Sequence, residues 1–385
     1  CNPSRIATLT GQHPRRTGIV GNKQTPMRDY LPDVTTLFQQ FDQQGYWVAG
    51  TGKLFHGADT KAEAWDEWFN AGSSPKPDKR PWHGLDRMMD EVTRAFDWGP
   101  VDAPPAEFKA YRMADWAIDA MARERGEPFF ISVGFMLPHL PWYMPKEHWD
   151  RIGADVAYPP YKADDREDMP PEAQKRSTKE HEIITEGDKW QEAIRAYLAS
   201  SAFVDDQVGR VLEGLERSGN KDNTIVVLWT DHGWHLGEKD AWRKYSLWEE
   251  STRVPFIFAG PGIAHGESGV PVTLLDIYPT LVEMAGLPPV EPLDGVGLSA
   301  VLVDPDNGDL DREYVISSLS NGDTLRGERW RYTRYIGGDE ELYDHSNDPN
   351  EWNNLAQHGD YEDVLNKYRP ALSPQTRAPR AEPTR

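Results

Sequence analysis

The sequence predicts an α/β fold: a mixed, mostly parallel sheet flanked by helices, with a small antiparallel-sheet subdomain at its C-terminal end. Three observations predict it. Short runs rich in β-branched and aromatic residues (Tyr46-Trp-Val-Ala49, Pro128-Phe-Phe-Ile-Ser-Val-Gly134, Thr224-Ile-Val-Val-Leu-Trp229 and Val254-Pro-Phe-Ile-Phe-Ala259) alternate with stretches of helical spacing. Three of these runs lead directly into polar clusters, as strands do at the carboxyl edge of an open α/β sheet, where ligands bind. After about Val303 the texture changes to closely spaced short runs joined by turns, the pattern of antiparallel strands.

In chain order, Pro3 to Leu9 starts a helix whose N-terminus, with its partial positive charge, suits an anion. Val34 to Gln44 is a second helix and Phe108 to Arg125 an amphipathic third, with loops at 71–77 and 96–105 between them. Tyr158 to Glu186, rich in Pro, Asp, Glu and Lys, has too few apolar residues for core and is expected as a surface excursion near the site. Trp190 to Arg217 is a long scaffold helix with one expected buried stripe: Ala193, Tyr197, Val204, Val208, Val211 and Leu215. The run at 224–229 is expected as a buried parallel strand. Gly260-Pro261-Gly262 stops the strand at 254–259, and Leu274 to Ala285 is a helix ending at Gly286. Tyr314–Ser318, Thr324–Arg326 and Trp330–Tyr335 are the antiparallel strands, and Tyr361 to Leu372 their packing helix. This divides the chain into a catalytic domain at 1–303, a C-terminal subdomain at 304–372 and a Pro- and Arg-rich disordered tail at 373–385.

Composition narrows the function. Charged residues are 27% of the chain and hydrophobic ones 38%, and no apolar stretch approaches the roughly 18 residues of a membrane span. At net charge −21 the surface repels nucleic acid and acidic membranes, so an anionic substrate needs a local positive pocket. Arg5, Lys53 and Lys244 are the candidates for it.

The chemistry is concentrated in five places. Cys1 is the single cysteine of 385 residues, so a disulfide cannot explain it; it is a nucleophile or a small packed apolar group. Asp231-His232 follows the strand at 224–229 and offers a carboxylate beside an imidazole for a divalent cation, or an Asx turn. Lys53 and His56 follow the strand at 46–49: a point charge for a tetrahedral anion, and a group that moves protons near neutral pH. His139 stands between Pro138 and Pro141, whose rigidity suits a general acid. Lys244 is a second cation. Most of the 15 tryptophans are expected in core and rim, while Trp142 and Trp234 could equally be faces for a sugar ring.

The order and wording of these segments resemble the sulfatase family of the alkaline phosphatase superfamily, in the branch that contains iduronate-2-sulfatase. The segments are Cys1-Asn-Pro-Ser-Arg5 with Leu9-Thr-Gly11, Gly52-Lys-Leu-Phe-His56, Pro138-His-Leu-Pro141, Asp231-His-Gly-Trp-His-Leu-Gly-Glu238 with Lys244-Tyr-Ser246, and a closing segment at Leu342–Leu355. The resemblance implies sulfate-ester hydrolysis. Cys1 is converted to formylglycine by a formylglycine-generating enzyme, and its hydrate attacks sulfur. One Ca²⁺ ion is held by Asp231, His232 and the modified Cys1; Lys53 and Lys244 balance charge; His139 protonates the leaving alcohol; His56 accepts the proton whose loss expels sulfate; Arg5 orders the diol. If His139 is not the acid, His56 and His235 are next. In the family, the strand before the cysteine ends in two aspartates that complete the calcium site, and the present sequence shows no counterpart, so it reads as an N-terminally truncated form. The implied partner is a sulfated carbohydrate, with a 2-O-sulfated uronate as one case, and the expected compartment is periplasmic or secreted. Two alternatives stand beside this: a phosphate or phosphonate monoester hydrolase of the same fold, and an inactive homologue that binds sulfated glycan.

Overall fold

The structure, a computed structural model, describes residues 1–57, 65–93, 95–373 and 378–383. Its frame is α/β. Strand β1 (Trp47–Gly52) pairs in parallel with β2 (Glu67–Phe69) on one side and with a strand at Phe129–Gly134 on the other. Between β2 and that last strand, β3 (Trp98–Val101) forms in the stretch read as a loop, so Phe129–Gly134 is β4; β3 pairs in parallel with β5 (Trp142–Pro145). Two aromatic residues, Trp98 and Trp142, are fully buried by this pairing, which is a stronger determinant than the Gly and Pro of the sequence.

The run at 224–229 forms β6 (Val226–Trp229), but its partner is antiparallel. After the short hairpin β7 (His235–Leu236) and β8 (Trp242–Arg243), the chain returns as β9 (Phe256–Ala259), which pairs with β6 alone among the described residues. The expected burial of β6 is also incomplete: Leu228 is 39% exposed. Between the facing edges of β4 and β6 lies a cleft of about 2090 Å³, lined by Phe130, Val133, Val227, Leu228, Val208 and Leu212.

The helices form where their spacing predicts. Asn2–Thr10 is closed by Gly11 at φ 64, Leu37–Gln43 is started by a reciprocal Thr36–Gln39 capping box, and Lys109–Ala122 and Ile277–Met284 flank the sheet. The helix Trp190–Ser218 differs in its buried face. Ala193 and Leu215 are buried, but so are Ile194, Ala199 and Phe203, whereas Tyr197, Val204, Val208 and Val211 are only partly covered and line the cleft. The buried face is the one that crosses Lys109–Ala122, and Gly214 permits the approach: a Cβ there would lie 2.5 Å from Cγ1 of Ile118. The expected surface excursion at 158–186 is also partly core. Lys179–Glu186 is helical, and Ile183 and Ile184, adjacent on its inner face, are buried with Trp98 and Trp142.

At the C-terminal end, β10 (Tyr314–Leu319), β11 (Gly322–Gly327), β12 (Trp330–Tyr335) and β13 (Glu340–Asp344) form an antiparallel sheet in sequence order, and the helix Glu362–Tyr368 packs on it through Leu365 and Tyr368. Of the tail expected to be disordered, residues 374–377 and 384–385 lie outside the described residues. The remainder touches the start of the chain, where the Ala381 N–H donates to the Gly18 carbonyl at 2.9 Å.

Candidate active site

The carboxyl ends of β1, β4 and β6 converge on one point, where the chain places Lys53, His139 and Asp231-His232. The helix Asn2–Thr10 points its N-terminus at the same place, with Cys1 as its first flanking residue. Asn2 is anchored from below: its side-chain amide donates to the carbonyls of Gly21 and Gln24, at 3.0 and 2.9 Å.

Cys1 Sγ lies 3.0 Å from Nε2 of His232. The other ring nitrogen, Nδ1, is 2.9 Å from the Gly233 carbonyl and donates to it, which leaves the Nε2 lone pair facing the sulfur. Arg5, one helical turn on from Cys1, donates from Nε to Asp231 Oδ2 at 2.9 Å, and from Nη1 to the carbonyls of Lys53 and, at 3.2 Å, Leu54. It thereby ties the end of β1 to the end of β6. Lys53 is held through its backbone N–H, which donates to the Gly134 carbonyl at 2.7 Å. Lys244 Nζ donates to Nε2 of His139, whose Nδ1 donates to the Leu140 carbonyl at 2.9 Å, and the same ammonium stands 5.1 Å from the centre of the Trp234 ring.

Burial dominates the protonation states. Burial would raise the Asp231 carboxyl, but the Arg5 guanidinium and His232 outweigh it and bring it to about 2, so it is ionised. Burial lowers His232 to about 4, and burial together with the Lys244 charge lowers His139 to about 3; both rings are neutral at neutral pH. Lys244 is brought down to about 7 by burial and then by Lys53, and Lys53 itself is lowered by burial and then by Arg5. Three cations thus surround one carboxylate in a protein of net charge −21. The pocket is a local positive patch set against the overall field.

Six sequence-derived candidates meet directly through these contacts: Cys1 with His232, Arg5 with Asp231, and His139 with Lys244. His56 is drawn into the same field, lowered by burial and then by Lys53, and its Nδ1 is buried without a hydrogen-bond partner; no hydrogen bond joins it to Cys1 among the described residues. Trp142 is not a sugar platform. It is fully buried and donates from Nε1 to the Pro138 carbonyl at 2.7 Å, supporting the His139 loop from below. Trp234 stays at the site, with its ring 5.4 Å from that of His139. The sequence reading missed Asn22, which receives the Asn2 N–H at 3.0 Å and donates to the Tyr245 hydroxyl at 2.8 Å, and it missed Arg176 and Ser246 behind Lys244. Only Ser246, two residues after Lys244, carried any signal.

A divalent cation is tested here by its donors. An ionised carboxylate beside a neutral imidazole with a free Nε2 lone pair fits part of a shell, and Cys1, His139 and His232 bring ligand atoms within 4.8 Å of one another. A Ca²⁺ ion takes 6–8 mostly oxygen ligands. Asp231 and His232 offer one carboxylate and one imidazole toward such a shell, which would need further oxygen ligands.

A model of the sulfatase family matches residues 1–287, and a model described as N-sulphoglucosamine sulphohydrolase, C-terminal, matches residues 237–378. A sulfatase of Formosa agariphila is 34% identical over 401 aligned positions, spanning 98% of this chain and 78% of that protein. The iduronate 2-sulfatase of Homo sapiens is 29% identical over 338 positions, spanning 74% of this chain and 60% of that one. Among solved structures, a 2-O GAG sulfatase superposes with a TM-score of 0.72 at 26% identity, covering 96% of this chain and 80% of its own. No helix of the described residues is long and apolar enough to cross a membrane.

Proposed function

The chain belongs to the sulfatase family, the sulfuric ester hydrolases, and on that premise we propose that it hydrolyses a sulfate ester on a sulfated carbohydrate, with Cys1, oxidised to formylglycine, as the nucleophile. The observation that carries the reading is the contact of Cys1 Sγ with His232 Nε2 inside a pocket that presents Arg5, Lys53 and Lys244. The likeness to a 2-O GAG sulfatase and to iduronate 2-sulfatase supports a 2-O-sulfated uronate as the substrate class.

The roles follow from the positions. One hydroxyl of the hydrated residue 1 attacks sulfur, and the bond from sulfur to the ester oxygen breaks. That oxygen leaves with a proton supplied by the His139–Lys244 pair: both His139 nitrogens are already engaged, Nδ1–H with the Leu140 carbonyl and Nε2 with the Lys244 ammonium. Because His139 is neutral and Lys244 donates to its Nε2, the pair holds the proton together and Lys244 is its source. Loss of the proton from the second hydroxyl, accepted by His56, expels sulfate and restores the aldehyde. Arg5 orients Asp231, and Lys53 with Lys244 faces the charge that develops on the sulfate oxygens. A Ca²⁺ ion held by Asp231, His232 and residue 1 would polarise a sulfate oxygen. We assign catalysis to residues 1–303 and read 304–372 as a subdomain, supported by its separate apolar cluster around Leu325, Tyr332 and Leu365. A large extracellular polysaccharide as substrate supports export to the periplasm or medium.

Coexpression with a formylglycine-generating enzyme tests the reading. Intact mass should fall by about 18 Da, as thiol is replaced by aldehyde, and the product should hydrolyse an aryl sulfate, while Cys1→Ala should be inactive and folded. Full activity in Cys1→Ala refutes the nucleophile assignment. A kcat/KM greater for phenyl phosphonate than for aryl sulfate transfers the protein to the phosphonate reading, and retained glycan binding without turnover transfers it to the inactive one.

A further inference from the structure

Lys244 is flanked by two residues in the left-handed backbone region, Arg243 at φ 67 and Tyr245 at φ 75. Side chains with a Cβ rarely adopt this conformation, and it persists only where the surroundings hold it. The holding contacts come from outside the loop. The Arg176 guanidinium donates from Nη2 to the carbonyls of Trp242 and, at 3.1 Å, Lys244. On the other side, Ser246 Oγ lies 2.7 Å from Nε2 of His235, which is fully buried with the Trp248 ring edge-on at 5.9 Å. The far nitrogen of His235, Nδ1, has no hydrogen-bond partner among the described residues, so the ring is tethered through Nε2. Among the described residues, no hydrogen bond or ion pair joins His235 or Arg176 to Cys1, Asp231 or His232.

We propose that His235 and Arg176 are positioning residues that hold the 242–246 loop in its left-handed conformation and so set Lys244 Nζ against His139. This rests on the reading of Lys244 as the cation and proton source of the reaction. Without the Ser246 tether or the carbonyl clamp the loop relaxes toward ordinary backbone angles, and Nζ leaves the His139 ring. A misplacement of about 1 Å in a reacting group can cost about 10²-fold in rate. The two tethers hold different parts of the loop: His235 grips Ser246, after Lys244, and Arg176 grips the carbonyls of Trp242 and of Lys244 itself.

The test uses the formylglycine-bearing enzyme and two readouts. For an aryl sulfate, His235→Leu and Arg176→Met should each lower kcat by about tenfold or more while KM changes by less than about threefold, because Lys244 acts on charge that develops in the transition state. His235→Gln, whose side-chain amide can still hydrogen-bond Ser246, should recover most of the lost kcat. Independently of turnover, acylation of Lys244 by acetic anhydride, read by peptide mass spectrometry, should speed up several-fold in His235→Leu and Arg176→Met and return toward wild type in His235→Gln. Unchanged kcat in either disrupting variant, equal loss in the Gln variant, or lost kcat with unchanged Lys244 reactivity each overturns the proposal. If the wild-type protein turns over no sulfate ester, the reading of Lys244 as a catalytic cation falls, and the acylation rates still decide whether the loop is held.

Discussion

Replacing Arg331 by leucine should cost this protein about 3–5 kcal/mol, the range for breaking a buried ion pair from one side. The number follows from where the guanidinium sits. Arg331 is 1% exposed and pairs with Glu351 and Glu249 at once, while Nη1 donates to the Leu247 carbonyl at 3.0 Å. Leucine leaves two buried carboxylates facing each other; His345, 2.9 Å from Glu351, and Arg326, 3.3 Å from Glu249, compensate only in part. The pH dependence gives a second handle. Burial would raise the Glu351 carboxyl, but Arg331 and His345 overcome it and bring it from 4.5 to about 2. A depressed carboxyl stabilises the fold above its unfolded value and stops doing so as pH falls through the folded one; from 4.5 to 2 this is worth roughly 3 kcal/mol at neutral pH. The deficit of Arg331→Leu should therefore be largest at pH 7 and narrow by at least roughly 1 kcal/mol by pH 4. Urea unfolding of both proteins, followed by tryptophan fluorescence at pH 7, 5 and 4, measures it. An unchanged midpoint at pH 7, or a deficit that does not depend on pH, would show that the network is not an ionised one.

The His139–Lys244 pair predicts that His139→Ala harms substrates with alkoxide-like leaving groups far more than a nitrophenyl sulfate, whose leaving group barely needs a proton; a uniform loss of kcat/KM would make His139 a sulfate-binding residue. With Lys244 at about 7, the ammonium that supplies this proton is present below that value and lost above it, so kcat for alkyl sulfates should fall as pH rises through about 7, and a profile flat to pH 9 rejects the assignment. Activity should disappear on chelation and return with Ca²⁺ rather than Zn²⁺; turnover by chelator-treated, metal-free enzyme would remove the metal from the reaction. In the helix crossing, Gly214→Ala should destabilise by about 1–3 kcal/mol through the clash with Ile118, and by clearly less in an Ile118→Ala background, where the contacts with Cγ1 and Cγ2 are gone and only the Cβ of residue 118, at 3.1 Å, remains; equal effects in both backgrounds, read by thermal unfolding, would contradict it.

The parts of the fold legible in the sequence are those whose local pattern and tertiary role coincide. The runs at 46–49 and 128–134 form parallel neighbours because β-branched and aromatic side chains fill both faces of a covered sheet. The antiparallel C-terminal strands were visible from their turns, although β13 was not: Glu340-Glu341 at its start reads as polar, while Glu341 is buried by hydrogen bonds from Tyr335 and Tyr343. The errors have one physical origin. Composition says how much apolar surface a segment has, not whether that surface is gathered on one side. Ile183 and Ile184 suffice to bury a helix in a stretch otherwise made of Pro, Asp, Glu and Lys. The long helix has two apolar faces; periodicity finds both, and only the crossing at Gly214 decides which one is covered.

The candidate site was legible for a different reason. Residues that act on an anion must project from strand ends, and a reactive side chain placed just after an apolar run announces itself. Residues that hold those side chains have no such signature. Arg176 reaches the loop through backbone carbonyls, and any sequence at 242 and 244 would offer the same acceptors. Asn22 lies in a turn without pattern and becomes part of the site because the helix start at Asn2 needs an acceptor for its N–H. Sequence also treats His139 and Lys244 as an acid and a cation, two roles 105 positions apart. Contact makes them one titrating unit: burial and then the Lys244 ammonium keep the imidazole neutral, and that ammonium carries the proton the pair can give. On the proposed reading, positive charge in this pocket does two jobs with the same atoms: it draws the sulfate in, and its surrender of a proton releases the alcohol. A pocket built only for binding would have kept the lysine in water, where its proton is too tightly held to leave.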